Sequence, residues 1–159
     1  MSFTTLSQMV AAQNAGKTAM TAPDGATPLS YGRLSQLIDD TQKRLNALGL
    51  GRGDRVGIVL PNCPEMATSF LAVAGACTAA PLNMAYRADE FEFYLSDLNA
   101  KALIVERDST SPAIAVAQKL GVRLIDLVVP PGAPAGLFTL QPRGAAAAAP
   151  TAQGGHAQP

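Results

Sequence analysis

The sequence predicts an α/β fold in which a mostly parallel sheet carries helices on both faces. Short apolar runs rich in β-branched residues, typical of strands buried on both faces, recur along the first 129 residues. Between them lie apolar residues at helical spacing, in stretches of about ten residues or more. Strands that alternate with helices in this way form βαβ units, and right-handed crossovers place the helices on both faces of the sheet.

The first elements are a short helix and a β-hairpin. Apolar residues at helical spacing predict the helix over residues 6–15, and short strands are expected at 17–22 and 27–30. The segment 23–25, Pro-Asp-Gly, is a turn, because proline presets φ and glycine tolerates positive φ. This hairpin is expected at an edge of the main sheet or on an attached sheet.

A long helix follows the hairpin. Ser30 can cap its start, and the helix is predicted to run to about Leu48, with Gly49 as a suitable residue just after its end. Its apolar stripe comprises Leu34, Leu37, Ile38, Leu45 and Leu48.

The next segments continue the alternation. Strands are predicted at 55–60, 79–82, 101–106 and 122–129. One helix is marked at helical spacing by Phe91, Tyr94, Leu95 and Leu98. Another is predicted to open with Ser111 as N-cap and Pro112 as its first residue and to end at Gly121. Asn62 and Glu65 have the spacing of an N-cap and its N3 partner, which predicts a capping box at the start of the second long helix. The residues of that helix expected to point inward are Met66, Phe70, Val73 and Cys77.

From Pro130 the composition changes to proline, glycine and alanine, with Arg143 as the one charged side chain. A short strand is possible within 135–141, and the rest is predicted to be a flexible linker. The expected domains are therefore residues 1–129, an α/β unit, and residues 130–159, a linker. The single histidine, His156, lies in this tail, and no role is assigned to it.

Composition excludes several classes of function. Twelve basic and twelve acidic side chains cancel, so no electrostatic footprint for nucleic acid or an anionic membrane is expected. Only 15% of residues are charged, against about 25% in typical soluble domains, which predicts that part of the surface is covered by more protein. No signal peptide or apolar run of roughly eighteen residues is present, so we expect a cytoplasmic protein without a membrane span.

The two cysteines do not form a metal or redox motif. Cys63 and Cys77 are too few and too far apart for a zinc knuckle or a Cys-x-x-Cys pair, so no metal site is predicted. Both are expected to be free thiols, at least partly buried, in a reducing compartment. Cys63 lies near a predicted helix start, a position that favours a lowered thiol pKa.

Two glycine motifs resemble phosphate-binding loops but have the wrong context. Residues 15–18, Ala-Gly-Lys-Thr, lack the earlier glycine of a Walker A loop, and residues 49–53 follow a helix and open a strand. Phosphate loops of both kinds follow a strand and open a helix. Both segments are therefore interpreted as helix-to-strand turns.

The ordered set of motifs resembles the amino-terminal part of acyl-adenylate-forming enzymes, the AMP-binding acid–CoA ligase family. The main evidence is Ser30-Tyr31 at a helix start, the run 51–56 (Gly-Arg-Gly-Asp-Arg-Val) entering a strand, and the run 61–65 (Pro-Asn-Cys-Pro-Glu) before the next helix. The resemblance covers roughly residues 5–129. The segment 134–138 is similar to the stretch before the phosphate loop in members that resemble oxalate–CoA ligase.

The sequence also departs from the family pattern. Arg33 stands where an acidic residue often completes the capping box. Met84 and Arg87-Ala88 replace the frequent Pro and Thr-Pro after the run 81–83, Pro-Leu-Asn. These differences concern the subfamily rather than the family.

The resemblance implies a two-step ligase that uses ATP, Mg²⁺ and CoA. A carboxylate attacks the α-phosphate of ATP to give an acyl-adenylate, and the CoA thiol then attacks the acyl carbon. The first step needs a Ser/Thr/Gly-rich loop with a lysine to hold the phosphates. No such run occurs in the 159 residues, so we assign no catalytic residue and expect the chain to be truncated before that loop and inactive alone. Its partners would be a carboxylic acid, CoA and the missing remainder of the same domain.

One partial role is predicted for two arginines. Arg87 follows the strand at 79–82 and Arg107 follows the strand at 101–106. Ligands gather at the carboxyl ends of parallel strands, and arginine is well suited to phosphate. Part of this region lies near the CoA nucleotide in the resembling family, so both are candidates to bind CoA phosphates.

Two other interpretations remain open at the level of sequence. One is a non-enzymatic α/β module that binds a partner through its weakly charged surface. The other is a small flavodoxin-like binding domain, although the strand-to-helix turn at 61–64 contains prolines that remove amide donors.

Overall fold

A computed structural model describes residues 3–144 of the chain. Its elements in chain order are α1 (Leu6–Ala11), β1 (Thr18–Met20), β2 (Leu29–Ser30), α2 (Tyr31–Ala47), β3 (Arg55–Val59), α3 (Pro64–Ala74), β4 (Thr78–Pro81), α4 (Ala88–Asp97), β5 (Ala102–Glu106), α5 (Pro112–Leu120), β6 (Arg123–Val128) and β7 (Thr139–Pro142). No helix in this part of the chain combines the length and the apolarity needed to cross a membrane.

The main sheet has the strand order β4-β3-β5-β6-β7. Its first four strands are parallel, and β7 pairs with β6 in the antiparallel direction. The hairpin of β1 and β2 forms a separate two-stranded sheet. The mostly parallel sheet and the opening hairpin are thus confirmed. The order also matches that of doubly wound flavodoxin-like sheets, apart from the reversed last strand.

Successive residues of the central strands alternate between two hydrophobic clusters, one on each face of the sheet. Ile58 and Ile104 pack in the cluster that includes α2 and α3, whereas Val59, Leu103 and Val105 pack in the cluster that includes α4 and α5. These strands are buried on both faces, which explains why their sequences are continuously apolar. Helices on both faces of the sheet are therefore confirmed.

The predicted ends of α2 and α5 are confirmed. The Ser30 hydroxyl accepts a hydrogen bond from the Arg33 amide, and the Ser111 hydroxyl accepts one from the Ala113 amide. Gly121 closes α5 with a φ of 69°, a conformation that glycine adopts without steric cost. All five apolar stripe residues predicted for α2 are buried.

The predicted start of α3 is wrong. Its N-cap is Cys63 rather than Asn62, with no side-chain cap, and Pro64 is the first helical residue. The Glu65 carboxylate does not complete a capping box, because its Oε1 atom accepts a hydrogen bond from the Gly136 amide at 2.9 Å. The inward position predicted for Phe70 is also wrong, since this side chain is 39% exposed.

The short strand expected within 135–141 is present as part of β7, whereas the flexible linker predicted for the other residues from Pro130 is wrong as far as Pro142. Residues 139–142 form β7, which is paired with β6 from Val128 to Ile125. Phe138 and Leu140 are buried in the main hydrophobic cluster, and their apolar surface outweighs the local excess of proline and glycine. The folded part of the chain therefore extends past residue 130 as far as β7. Residues 145–159, including His156, lie outside the described residues.

Candidate functional site

The carboxyl ends of β3 and β5 form the edge of the sheet where the chain changes direction. The helix after β3, α3, packs on one face, and the helix after β5, α5, packs on the other. Adjacent strands whose following helices leave to opposite faces open a crevice between their carboxyl ends, and open α/β sheets bind ligands at such switch points. We therefore take this crevice as the candidate site.

A cavity of about 520 Å³ occupies the crevice. Its apolar wall is built from strand ends and the segment after β6, and its polar wall comes from the turns after β3 and β5. The lining residues are Leu60, Cys63, Glu65, Glu106, Arg107, Asp108, Leu127, Val128, Val129 and Pro131.

The charges of the crevice do not favour an isolated phosphate. Three carboxylates, those of Glu65, Glu106 and Asp108, face one guanidinium, that of Arg107. The Glu65 carboxylate accepts a hydrogen bond from the Gly136 amide, which partly compensates its charge. The carboxylates of Glu106 and Asp108 disfavour the binding of an anion. The crevice alone is thus a mixed apolar and acidic surface rather than a phosphate cradle.

Arg107 lies where the sequence predicted, just after β5. Its guanidinium donates to the side-chain oxygen of Gln141, and its carbonyl oxygen accepts from Arg143 Nη2 at 2.9 Å. These contacts tie the turn after β5 to the last strand, so Arg107 is held at the rim of the crevice with its side chain exposed.

Arg87 lies at the start of α4, beyond the carboxyl end of β4. Its side chain is 78% exposed and approaches Asp89 at 3.4 Å and Glu90 at 3.6 Å. Such exposed ion pairs hold the arginine only weakly. Arg87 is absent from the lining of the crevice that contains Arg107, so the structure puts both arginines at one edge of the sheet without bringing them into one cavity. Their role in CoA binding stays a prediction.

An aromatic cluster beside Arg87 was not found from the sequence. The ring of Tyr86 stacks on that of Tyr94 with centroids 4.9 Å apart and meets Phe91 edge-on at 5.7 Å. The hydrogen bond with Tyr94 raises the pKa of the Tyr86 hydroxyl. The sequence pattern marks Phe91 and Tyr94 only as helix residues, and Tyr86 lies in a loop without periodicity. No local pattern therefore predicts that the three rings contact one another.

The two cysteines are free thiols, as predicted, with Cys77 buried and Cys63 half-buried. The lowered pKa expected for Cys63 is wrong. Burial raises the pKa of this thiol, and the neighbouring Glu65 raises it further. Burial, together with the Asp54 carboxylate, raises the pKa of Cys77 to about 12. Neither thiol is activated as a nucleophile. Residues 3–144 also contain no cluster of His, Cys, Asp and Glu able to hold a metal ion.

A model of the family described as "AMP-binding enzyme" matches residues 7–149. The chain belongs to the AMP-binding enzyme family. It is 41% identical over 119 residues to the probable CoA ligase CCL9 of Humulus lupulus, with 74% of this chain and 22% of the relative aligned. It is 44% identical over 100 residues to the oxalate–CoA ligase of Arabidopsis thaliana, with 62% of this chain and 20% of the relative aligned. The resemblance to the oxalate–CoA ligase branch is thereby supported. The chain spans about a fifth of the length of these relatives.

Solved structures share the fold. A long-chain-fatty-acid CoA ligase of Rhodopseudomonas palustris, described as putative, aligns with a TM-score of 0.63 and 28% identity over 74% of this chain and 30% of its own. The apo structure of MatB from the same organism aligns with a TM-score of 0.67 and 23% identity over 87% of this chain and 30% of its own. The match to the AMP-binding family favours the ligase-family interpretation over a flavodoxin-like domain, although the strand order suits both.

Family membership gives the run 61–65 a structural meaning. These residues carried much of the resemblance in the sequence, where Glu65 was interpreted as a local helix cap. In the folded chain Glu65 lies in the first turn of α3, and its side chain contacts the segment before β7. One residue of the motif thus makes a tertiary contact at the rim of the crevice.

Proposed function

We propose that this chain provides the supporting, amino-terminal part of an ATP-dependent acid–CoA ligase. The ligase forms an acyl-adenylate with ATP and Mg²⁺ and then transfers the acyl group to CoA. The observation that carries the proposal is the match of residues 7–149 to the AMP-binding enzyme family. The names of the relatives, which are CoA ligases, support the substrate class, and the oxalate–CoA ligase of Arabidopsis thaliana at 44% identity supports a small carboxylic acid.

On this proposal the chain contributes structure rather than chemistry. No Ser/Thr/Gly-rich run with a lysine occurs among the 159 residues, and the thiols that face the crevice or the core are held protonated. Residues that grip the phosphates must then come from the remainder of the same domain. The purified 159-residue chain is expected to show no ATP–pyrophosphate exchange, and exchange above the level of a heat-denatured sample would overturn this part.

A chimera tests the positive side of the proposal. Residues 7–143 of this chain would replace the structurally corresponding segment of the Arabidopsis thaliana oxalate–CoA ligase, and CoA thioester formation from oxalate would be followed. Because the chain would supply an equivalent supporting layer, the chimera should retain ligase activity. A matched chimera with Ile58→Asp, a charge placed in the fully buried centre of the sheet, should lose it. A folded but inactive first chimera would contradict the proposed function.

A further inference from the structure

The segment before β7 is anchored by side chains of α3. Gly136 donates its amide hydrogen to Glu65 Oε1 at 2.9 Å, and its carbonyl oxygen accepts from Thr68 Oγ1 at 2.6 Å. Both polar groups of one peptide residue are thus satisfied by the first turns of a helix about seventy positions earlier in the chain. We call Glu65, Thr68 and Gly136 the α3–β7 clasp.

The clasp is built for glycine. Gly136 has a φ of 80°, in the left-handed region. A Cβ atom at this position would lie 2.7 Å from Thr68 Cγ2 and 3.3 Å from the Pro64 carbonyl oxygen. Thr68 is fully buried, so water does not compete for its hydroxyl. The hydroxyl oxygen also lies 3.2 Å from the Pro64 carbonyl oxygen and 3.3 Å from that of Glu65, but its contact with Gly136 is the shortest of the three. The close approach of Thr68 to the Gly136 backbone therefore requires a residue without a Cβ atom at position 136.

The clasp fixes the point from which β7 begins. The neighbouring Ala135 donates its amide to the Thr27 carbonyl at 2.9 Å, and Leu137 closes a turn onto Pro134. After this turn Phe138 enters the core, and β7 starts at Thr139 in register with Val128. The reversal from the parallel sheet to an antiparallel last strand thus occurs at the clasp.

We propose that Glu65 and Thr68 are positioning residues that, by holding Gly136, set the register of β7 and hence the path of the chain toward the nucleotide-binding remainder of the ligase. The effect on the register of β7 is independent of the function proposed above. The effect on the path toward the nucleotide-binding remainder rests on that function. Glu65 lines the crevice and Thr68 does not, and on this proposal both act through the backbone of the strand that they place.

Hydrogen exchange on the intact 159-residue chain tests the placement. Thr68→Val keeps the shape of the side chain and removes the hydroxyl, and Glu65→Ala removes the acceptor. Each should accelerate amide exchange at Gly136 and at residues 139–141 by at least about tenfold, because a buried hydrogen bond to the clasp is lost. Exchange at Ile104, in the centre of the sheet, should stay unchanged.

Conservative variants separate the clasp from a general loss of stability. Thr68→Ser restores the hydroxyl and Glu65→Gln restores an oxygen acceptor, so both should return exchange at Gly136 toward the parent rate. Glu92→Gln, at the exposed pair with Lys119, serves as the matched control and should change nothing. Unchanged exchange at Gly136 in both Thr68→Val and Glu65→Ala, or equal acceleration at Ile104, would overturn the proposal.

The chimera described above distinguishes the two halves of the inference. In an active chimera, Thr68→Val should raise the KM for ATP with a smaller effect on kcat, and Thr68→Ser should restore it. A KM that does not move would refute the link to nucleotide binding. A chimera that is inactive before any substitution would count against the proposed function alone, since the exchange experiment decides the clasp by itself.

Discussion

Arg143 and Asp126 form an ion pair across the last two strands of the sheet. Arg143 Nε lies 2.8 Å from Asp126 Oδ1, and the two side chains are 29% and 14% exposed. Arg143 also donates to the Arg107 carbonyl, so one guanidinium joins β7, β6 and the turn after β5. The charge that the sequence placed alone in a linker therefore supports Arg107, which lines the crevice.

Removing this guanidinium should destabilise the chain measurably. Arg143→Ala leaves the half-buried Asp126 carboxylate without its partner, and we expect a loss of about 1–3 kcal/mol in the free energy of unfolding in urea. Lys119→Ala is the matched control, because it breaks the exposed pair with Glu92 and should cost less than about 1 kcal/mol. Equal effects of the two substitutions would contradict a special role for the Arg143 pair.

A methyl group at Gly136 should cost more than one at Gly132. Both residues have positive φ, 80° and 69°, but a Cβ atom at Gly132 meets no atom within 4 Å whereas one at Gly136 overlaps Thr68. Gly132→Ala should lose about 1–2 kcal/mol from the backbone alone, and Gly136→Ala about 1–3 kcal/mol more from the overlap. Urea denaturation of both variants measures the difference, and similar losses would show that the close approach is relieved by a shift of the neighbouring atoms.

The buried thiol of Cys77 predicts a loss of stability at high pH. The unfolded thiol ionises near its ordinary pKa of 9.0, and the folded thiol near about 12. The folded state therefore binds the proton more tightly, and this contribution is complete below pH 9 and is lost as the pH rises toward 12. Between these values the parent chain should lose at most about 1.4 kcal/mol per pH unit more than Cys77→Ala. Parallel pH profiles for the parent and the variant would be inconsistent with a thiol held protonated.

The two arginines at the sheet edge can be tested for CoA binding in the active chimera. If they contact CoA phosphates, Arg87→Ala together with Arg107→Ala should raise the KM for CoA by about tenfold or more and leave the KM for ATP unchanged. Arg52→Ala, an exposed arginine in the turn before β3, is the control and should change neither constant. An unaltered KM for CoA in the double variant would remove both residues from the site.

Local chemistry was enough to predict most elements, whereas contacts distant in sequence decided the rest. The stripe of α2 and the caps at Ser30 and Ser111 follow from spacing and from side chains that bond their own helix. Glu65 was misinterpreted because its partner lies 71 positions away, and nothing local distinguishes such a contact from a capping box. A short strand within 135–141 could be expected from the sequence but its place in the core could not, since Phe138 and Leu140 gain their stability only by docking on strands already formed.

In the candidate site, too, local features were predictable from the sequence and contacts distant in sequence were not. Residue order predicted correctly that Arg87 and Arg107 follow strands, because parallel strands present their carboxyl ends at one edge. It could not predict that three carboxylates would share the crevice with Arg107, or that Tyr86 would stack beside Arg87. Those arrangements depend on the lateral order of strands, which the chain sets through tertiary packing.

The two outermost strands of the main sheet have a consequence for self-association. Both β4 and β7 are only four residues long, and their last residues are Pro81 and Pro142. A proline has no amide hydrogen to donate to an incoming strand, and so short an edge strand offers few backbone groups for hydrogen bonds to a second chain. The described sheet is thereby protected at both borders against growth into intermolecular β-aggregates, which matters for a protein whose surface carries so little charge to keep its copies apart.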